Sequence, residues 1–340
     1  MTKLLEELCN AFGPSGDEAE VRTLLKKEMK KHLKDVRVDK FGNLICRKEG
    51  KGPRIMLAAH MDEIGLMIKD IKEDGSIRFS TIGGIEPITL VGQEVIIKTK
   101  KGKKINGVIS FEELQNDYAI EELPSVDELY IDIGLDKKAV KKLGIEVGDY
   151  ALPKTKFKTL GSKDIISGKA LDDRIGCYIL VEIAKRLKKS SADIFFVFTV
   201  QEEIGLYGAH TSVHAVDPDY GIAVETTNAE DAGEEDVVQI GKGPVLILKD
   251  SEIITNECLD DDLRLVARKL KKPLQLKVEE LGTTDATKIM LSKGGVPSTT
   301  LSVAVRNIHS TISVSSLKDV QDVLAILLEF LKKPPRTCIK

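Results

Sequence analysis

The sequence of 340 residues is longer than a single hydrophobic core usually needs, which predicts two domains or one domain with a large insertion. Its 51 Lys and Arg residues nearly cancel its 54 Asp and Glu residues, so charge gives no preference for nucleic acid. The sequence has no signal-peptide pattern and no apolar run of about 18 residues, so we expect a cytoplasmic protein without a membrane partner.

The first predicted elements are a helix and a strand. Ser15 and Glu18 have the spacing of a capping box, and apolar residues recur at every fourth position after them, which predicts a packing helix. These apolar residues are Val21, Leu25, Met29 and Leu33. The apolar run RIMLAAH at residues 54–60 then predicts a strand that ends at His60.

Residues from about 66 to 160 have a different pattern, in which short strands alternate with turn residues. The segment EVIIKTKKGKKINGVIS is typical of a hairpin with Gly102 at its turn. We therefore expect a small inserted β domain at residues 68–159. The catalytic domain would then be discontinuous and consist of residues 1–67 and 160–340.

After residue 160, short apolar runs alternate with helical segments such as RIGCYILVEIAKRL. The apolar runs are IFFVFTV, YGIAVE and TTLSVAV. This alternation predicts an α/β fold with a largely parallel sheet covered by helices.

The five cysteines are odd in number and widely spaced, and no two of them form a C-x-x-C pair. They are Cys9, Cys46, Cys177, Cys258 and Cys338. This distribution argues against a disulfide framework and against a thiolate zinc site. We expect reduced and mostly buried thiols.

Polar side chains stand at or just beyond the ends of four apolar runs. They are His60, Glu202, Glu203, Glu225 and His309. In an open α/β sheet the ligand crevice lies outside the carboxyl ends of the strands, so we expect these side chains to converge there. Asp62 follows His60 by two residues, a spacing that lets its carboxylate hold the imidazole in one tautomer.

Two further carboxylates, Asp172 and Asp173, precede a predicted helix in KALDDRIG. An isolated pair at this position is equally typical of a helix N-cap. Oxygen and imidazole ligands without sulfur suit zinc, cobalt or manganese. Two divalent ions would be balanced by the carboxylates of Asp172, Glu203 and Glu225 together with one hydroxide, which predicts a dinuclear site.

A rival pair of ligands is His210 and His214 in AHTSVH, since a spacing of four places both imidazoles on one helical face. The segment lacks the Glu that follows the first His of a zincin. We therefore expect these histidines to belong to a half-exposed helix instead.

Eight motifs, in this order along nearly the whole chain, carry a family resemblance. They are AFGPSGDE, AAHMDEIG, ELYIDIG, GIEVGD, KALDDRIG, TVQEEIGLYGA, GTTDA and IHS. The chain resembles metallopeptidase family 42, the tetrahedral (TET) and glutamyl or deblocking aminopeptidases. The resemblance implies a zinc-peptidase-like α/β/α sandwich with an inserted β-barrel that pairs subunits, and dimers that assemble into a tetrahedral dodecamer.

The resemblance also implies how two divalent ions, zinc or cobalt, are held. Asp172 matches the carboxylate that bridges the ions. Glu203 and His309 match the ligands of one ion, and His60 and Glu225 match those of the other. The family usually has Asp at the position of Glu225, so one extra methylene must be accommodated there.

The implied catalytic residues are Glu202, which matches the general base, and Asp62, which matches the residue that orients His60. Asp173 matches the second residue of a cis Asp–Asp peptide. A Pro that usually follows IHS is replaced by Thr311, which would loosen the loop behind the last histidine.

The resulting hypothesis is an aminopeptidase that acts on peptides with a free N-terminus. A water bridging the two metal ions would lose its proton to Glu202 and attack the scissile carbonyl. Two alternatives stay open at this point. One is a glycoside hydrolase that uses Glu202 with another carboxylate, and the other is a non-catalytic assembly protein stabilised by metal.

Overall fold

A large mixed β-sheet between two layers of helices and a closed β-barrel make up the part of the chain that the computed structural model describes, residues 3–116, 122–232, 238–335 and 338. The helices are α1 Lys3–Asn10, α2 Ala19–Met29, α3 Glu112–Gln115, α4 Lys137–Lys142, α5 Leu171–Arg186, α6 Tyr207–Val216, α7 Glu257–Lys269, α8 Asp285–Met290 and α9 Leu317–Phe330. The strands are β1 Asp35–Val38, β2 Leu44–Lys48, β3 Arg54–His60, β4 Gly65–Ile71, β5 Ile77–Ile82, β6 Glu94–Lys98, β7 Lys104–Ser110, β8 Tyr130–Asp132, β9 Tyr150–Pro153, β10 Lys158–Thr159, β11 Ile165–Gly168, β12 Asp193–Thr199, β13 Tyr220–Asn228, β14 Val245–Lys249, β15 Gln275–Val278, β16 Ser298–Arg306 and β17 Ser313–Ser316.

The large sheet has the order β1-β2-β12-β3-β13-β16-β17-β11-β10, and β14 and β15 extend it from β16. The four adjacent strands β12, β3, β13 and β16 run parallel to one another. They are the four apolar runs from which strands were predicted, so that prediction is confirmed. Their carboxyl ends meet at one edge of the sheet.

Alternation along the central strands gives each face of the sheet its own core. In β3, Ile55 and Leu57 pack into a core with α1, α2, α5, α7 and α9, whereas Met56 and Ala58 pack into a second core with α6 and α8. A strand that is buried on both faces reads as a continuous apolar run, which explains why RIMLAAH has no polar alternation. The sheet is therefore covered on both faces.

Six strands, β4 to β9, close into a barrel in the order β4-β5-β8-β7-β6-β9. The predicted hairpin is confirmed as β6 and β7, with Gly102 at a positive φ of 78° in the turn between them. Short β10 pairs with β11 and belongs to the large sheet. The α/β/α sandwich with an inserted β-barrel that was predicted from the sequence is the architecture found.

The predicted capping box at the start of α2 is wrong. Helix α2 begins at Ala19, and the Glu18 side chain accepts a hydrogen bond from the backbone N–H of Gly16 at 2.7 Å without capping the helix. The Ser15 hydroxyl donates to Asp62 at 2.7 Å. Ser15 lies too far before Ala19 to cap the helix, and its hydroxyl instead makes a charge-assisted hydrogen bond to a buried carboxylate.

The prediction of five reduced thiols is also wrong. Cys258 of α7 and Cys338 form a disulfide across a sequence separation of 80 residues, with their Cα atoms 5.5 Å apart. Cys338 comes close to Cys258 only when the chain is folded. The spacing of the cysteines in the sequence therefore could not reveal the pair. Cys9, Cys46 and Cys177 are free and buried, as expected.

None of the helices in the described residues combines the length and the apolar composition needed to cross a membrane.

We predict that the denatured, unreduced chain titrates with three thiols and the reduced chain with five, because only one pair of cysteines is bonded. Cys258→Ala should titrate with four thiols under both conditions. In the chain-entropy model, closing a loop of this length adds about 4 kcal/mol to the free energy of unfolding, so reductant should lower the melting temperature of the unmodified chain alone. Five thiols in the unreduced chain would contradict the disulfide.

Candidate metal centre

Polar side chains from four parallel strands meet at the carboxyl edge of the large sheet. His60 is the last residue of β3, Glu202 and Glu203 follow β12, and His309 follows β16. Glu225 was expected to end its strand, but β13 continues to Asn228, so Glu225 projects from inside the strand. The structure brings all five of these predicted residues together with Asp172 at the start of α5.

His60 is buried, and its two ring nitrogens face different partners. Nδ1 lies 3.2 Å from the backbone carbonyl oxygen of Asp62, which can only accept a hydrogen bond. In the neutral ring, Nδ1 is therefore the protonated nitrogen and Nε2 carries the free lone pair. Nε2 lies 3.1 Å from Oδ1 of Asp172 and 3.6 Å from Oε2 of Glu225.

His309 approaches the same carboxylate from the opposite side and is half exposed. Its Nε2 lies 3.5 Å from Oδ2 of Asp172 and 3.3 Å from Oε2 of Glu203. Asn307 and His309 both have φ of 56°, a left-handed conformation that turns the chain back toward the site just after β16. The two oxygens of Asp172 thus face two different histidines.

The peptide bond between Asp172 and Asp173 is cis, as the family resemblance implied. Asp173 is fully buried, and its Oδ1 accepts a hydrogen bond from the N–H of Gly176 at 2.8 Å. Asp173 therefore caps the first turn of α5, whereas Asp172 points into the site. The capping role that the sequence left open belongs to one member of the pair only.

Two groups of three residues in the described part of the chain have ligand atoms close enough to share a metal ion in this region. One consists of His60, Asp172 and Glu203, and the other of His60, Asp173 and Glu225, with all ligand atoms within 4.8 Å of one another in each group. Oδ2 of Asp173 and Oε1 of Glu225 are buried and have no hydrogen-bond partner among the described residues. Sequence reasoning assigned no ligand role to Asp173.

Burial dominates the electrostatics of the carboxylates. It raises the pKa of Glu202 and of Glu225 well above the ordinary value and that of Glu203 to about 7. Burial would also raise the pKa of Asp172, but contacts with His309 and His60 outweigh it and lower the pKa. Each of these three glutamates is therefore less readily ionised than an exposed carboxyl group.

Glu202 and Glu203 are adjacent in sequence but point to different parts of the site. Glu203 faces His309, whereas Oε2 of Glu202 lies 4.0 Å from Nε2 of His60. Their backbone N–H groups both donate to the carboxylate of Asp62, at 3.1 Å from Glu202 and 3.2 Å from Glu203. Glu202 belongs to neither of the two ligand groups in the described residues.

Asp285, at the start of α8, is a buried carboxylate beside the site that sequence reasoning did not assign. The hydroxyl of Thr199 donates to its Oδ2 at 2.6 Å, and Oδ1 has no partner among the described residues. Burial raises the pKa of Asp285 to about 6, and its charge contributes to the raised pKa of Glu202 and Glu225. The only sequence signal was its position in the GTTDA motif.

A loop of the barrel forms one wall of the site. A Cβ atom on Gly83 would lie 3.3 Å from Oε2 of Glu203, and one on Gly84 would lie 3.4 Å from Nδ1 of His309. The absence of side chains lets this loop approach both residues closely. The Gly-Gly pair in TIGGIEP was the available signal, and sequence reasoning did not use it.

Thr311 ties the loop behind His309 to the same barrel segment. Its side chain is buried, and its hydroxyl donates to the backbone carbonyl of Thr89 at 3.3 Å. The expected loosening of this loop by replacement of Pro is therefore offset by a hydrogen bond to the barrel.

The rival histidines lie elsewhere. His210 and His214 are exposed on α6, with ring centroids 5.9 Å apart, as expected for a half-exposed helix. Neither belongs to a group of metal-binding residues in the described part of the chain. His32 is exposed as well.

The sequence model of the family described as M42 glutamyl aminopeptidase matches residues 42–326. This chain belongs to that family. Membership makes it a peptide hydrolase of the aminopeptidase class and implies divalent metal ions as cofactors.

Individual aminopeptidases and peptidases also match over nearly the whole chain. A lysyl aminopeptidase of Pyrococcus furiosus is 33% identical over 97% of both chains. The structure of a TET aminopeptidase from a marine-sediment Thaumarchaeota archaeon has a TM-score of 0.93 and 34% identity, covering 97% of this chain and 96% of that one. A TET1 peptidase of Pyrococcus horikoshii, which can assemble into a tetrahedron or a large octahedral shell, has a TM-score of 0.88 and 31% identity over 97% and 98% of the two chains.

Glu225 stands where the family resemblance implies an Asp. Its longer side chain still reaches the site, with Oε2 3.6 Å from Nε2 of His60. The extra methylene therefore does not keep this carboxylate away from the candidate site.

We predict that His60→Ala and His309→Ala each lower the bound metal, because each removes an imidazole that faces Asp172. The double variant His210→Ala with His214→Ala is the matched control, since it removes two imidazoles from an exposed helix and should leave the metal content unchanged. Elemental analysis of each purified variant gives the comparison. The reverse order of metal loss would place the metal centre on α6.

Proposed function

We propose that this chain is a dinuclear metal-dependent aminopeptidase in which Glu202 is the general base. The observation that carries the proposal is the position of Asp172, whose two carboxylate oxygens face His60 on one side and His309 on the other. A carboxylate placed in this way is suited to bridging two ions. Oε2 of Glu203 lies 3.3 Å from Nε2 of His309, and Oε2 of Glu225 lies 3.6 Å from Nε2 of His60.

The residues present fit two divalent cations. Unpartnered buried oxygens on Asp173 and Glu225, and raised pKa values on Glu203 and Glu225, mark a site that lacks positive charge. Glu203 and His309 would hold one ion, His60 and Glu225 would hold the other, and Asp172 would be shared by both. Nitrogen and oxygen donors without sulfur favour zinc or cobalt.

Bound divalent ions would supply an acidified water and polarise the scissile carbonyl. Glu202 would take the proton from the attacking water and deliver it to the leaving amine. Its burial supports this role, because a raised pKa brings a carboxylate closer to the operating pH of a general base. Asp62 would keep His60 in the tautomer with Nε2 free, as its carbonyl contact with Nδ1 favours.

The proposed substrates are peptides with a free N-terminus. The support comes from the family and from the lysyl aminopeptidase among its members. The Gly83–Gly84 loop of the barrel would border the substrate beside His309. A cytoplasmic location stays a prediction from the sequence.

We predict that Glu202→Gln keeps metal but loses activity, because the amide preserves the shape of the side chain and removes its basicity. A residue that transfers a proton typically contributes about 10²- to 10⁴-fold, so turnover of aminoacyl-p-nitroanilides should fall by that order. Glu203→Gln is the matched control one residue away, and it should lose both metal and activity. Normal turnover of Glu202→Gln with two ions bound would remove Glu202 from the role of base.

Chelation distinguishes the proposal from the two alternatives. The chelated protein should be inactive on aminoacyl substrates and regain activity with zinc, cobalt or manganese. A chelated sample that cleaves a polysaccharide and no aminoacyl substrate would favour a glycoside hydrolase. Full metal occupancy without turnover on a broad aminoacyl panel would favour a non-catalytic assembly protein.

We also propose that the barrel, expected from the sequence at residues 68–159, is a distinct unit that pairs subunits into dimers, and that dimers form a dodecamer. Closure of the barrel leaves no free edge among its six strands, so pairing would not occur by strand addition. Exposed apolar side chains on the barrel support a packed interface. They include Ile88, Val108, Leu135 and Val147.

We predict that removing the barrel lowers the number of subunits in the assembly. The register pairs Leu66 of β4 with Ala151 of β9, so the chain enters and leaves the barrel side by side and a short Gly-Ser linker can replace residues 67–150. Light scattering should give a smaller assembly number than for the full chain, with circular dichroism as the control for folding. A folded deletion variant with an unchanged assembly number would contradict the proposed pairing.

A further inference from the structure

Asp62 is a fully buried carboxylate that contacts three parts of the candidate metal centre at once. Its backbone carbonyl faces Nδ1 of His60, and its side-chain oxygens accept the backbone N–H groups of Glu202 and Glu203. Oδ1 also lies 3.6 Å from Nδ1 of His60. The orientation of this one carboxylate therefore affects a candidate ligand, the candidate base and the backbone of a second ligand.

Ser15 provides the shortest hydrogen bond to Asp62. Its hydroxyl donates to Oδ2 at 2.7 Å, and its side chain is almost completely buried. The other donor to Oδ2 is the N–H of Glu203, at 3.2 Å. Loss of the hydroxyl would leave one lone pair of a buried carboxylate without its strongest partner.

The backbone around Ser15 is fixed to the loop that carries Asp62. The N–H of Ser15 donates to the carbonyl of Glu63 at 3.3 Å, and the N–H of Glu63 donates to the carbonyl of Gly13 at 3.0 Å. These two bonds run in opposite directions between the segments. They hold the segments in one register, so the hydroxyl of Ser15 has a defined position relative to Asp62.

Two buried basic side chains, those of Lys169 and Arg174, bind the same N-terminal segment. Lys169 donates to the carbonyl of Ala11 and to both oxygens of Glu63, and Arg174 donates to the carbonyl of Gly13. Lys169 and Arg174 flank Asp172 in sequence. The N-terminal segment is thereby connected to both the Asp62 loop and the Asp172 loop.

We propose that Ser15 is a positioning residue of the metal centre, which acts through Asp62 on His60 and on the backbone of Glu202 and Glu203. The hydroxyl fixes the rotation of the Asp62 carboxylate. Asp62 then keeps the imidazole of His60 oriented toward Asp172 and Glu225 through its backbone carbonyl and Oδ1, which lie 3.2 and 3.6 Å from Nδ1. This inference rests on the proposed function, because it takes His60 as a metal ligand.

The test measures metal affinity in Ser15→Ala by competition with a chromophoric chelator, using zinc or cobalt on the full-length assembly. Groups that orient a metal-ligating histidine typically contribute about 10- to 100-fold in metal affinity. The affinity of Ser15→Ala for the more weakly bound of its two metal ions should therefore fall by at least about 10-fold. The melting temperature of the metal-free protein should stay close to that of the unmodified chain. Thr23→Val is the matched control, since Thr23 lies on the exposed face of α2 and its hydroxyl donates to the carbonyl of Ala19.

A double-mutant cycle separates positioning through Asp62 from a general effect on stability. In an Asp62→Ala background, Ser15→Ala should cause no further loss of metal affinity, because its acceptor is gone. Unchanged affinity in Ser15→Ala, or an equal loss in both backgrounds, would overturn the proposal. These measurements report metal affinity and do not depend on turnover. A chain that is inactive on all peptides would contradict the proposed function, but it would not change the result for Ser15.

Discussion

The constraint on which this structure depends is the burial of several carboxylates within a few ångström of one another at one edge of a parallel sheet. Removing a charged carboxylate from water is costly, and neighbouring negative charges add to the cost. The pKa values of Glu202, Glu203 and Glu225 are all raised by burial. Such a cluster is stable only with protons or cations between its members, and divalent ions satisfy that need in a metallopeptidase.

The protein offsets part of this cost with fixed dipoles and buried positive charge. Burial alone would raise the pKa of Asp62, but contacts with His60, the Ser15 hydroxyl and the backbone N–H of Glu202 outweigh it and lower the pKa. Behind the site, Glu63 is paired with Lys169 and Arg174, which leaves a net positive charge in the interior. In sequence, Lys169 lies three residues before Asp172 and Arg174 lies two residues after it.

The barrel contributes to the site as well as to the proposed subunit contacts. Gly83 and Gly84 bring its backbone against Glu203 and His309, and Thr311 bonds to the carbonyl of Thr89. His309 lies on a loop beyond the end of its strand and is more exposed than His60. The barrel packs against this loop and therefore limits the movement of His309. His60 needs no such support, because it is held at the end of a strand.

The sequence by itself determined the four parallel strands and the polar residues at their ends, since both depend on local pattern. Apolar runs such as RIMLAAH form strands, and His60 is the last residue of that strand. It also indicated the cis Asp172–Asp173 peptide through family motifs. Tertiary structure alone decided which distant groups meet. Ser15 bonds to Asp62 across 47 residues, Cys258 to Cys338 across 80, and Asp285 reaches Thr199 across 86. Local patterns cannot encode these pairs, because each one forms only after the sheet, the helices and the barrel have packed together. The same packing determines which buried carboxylates lack a hydrogen-bond partner.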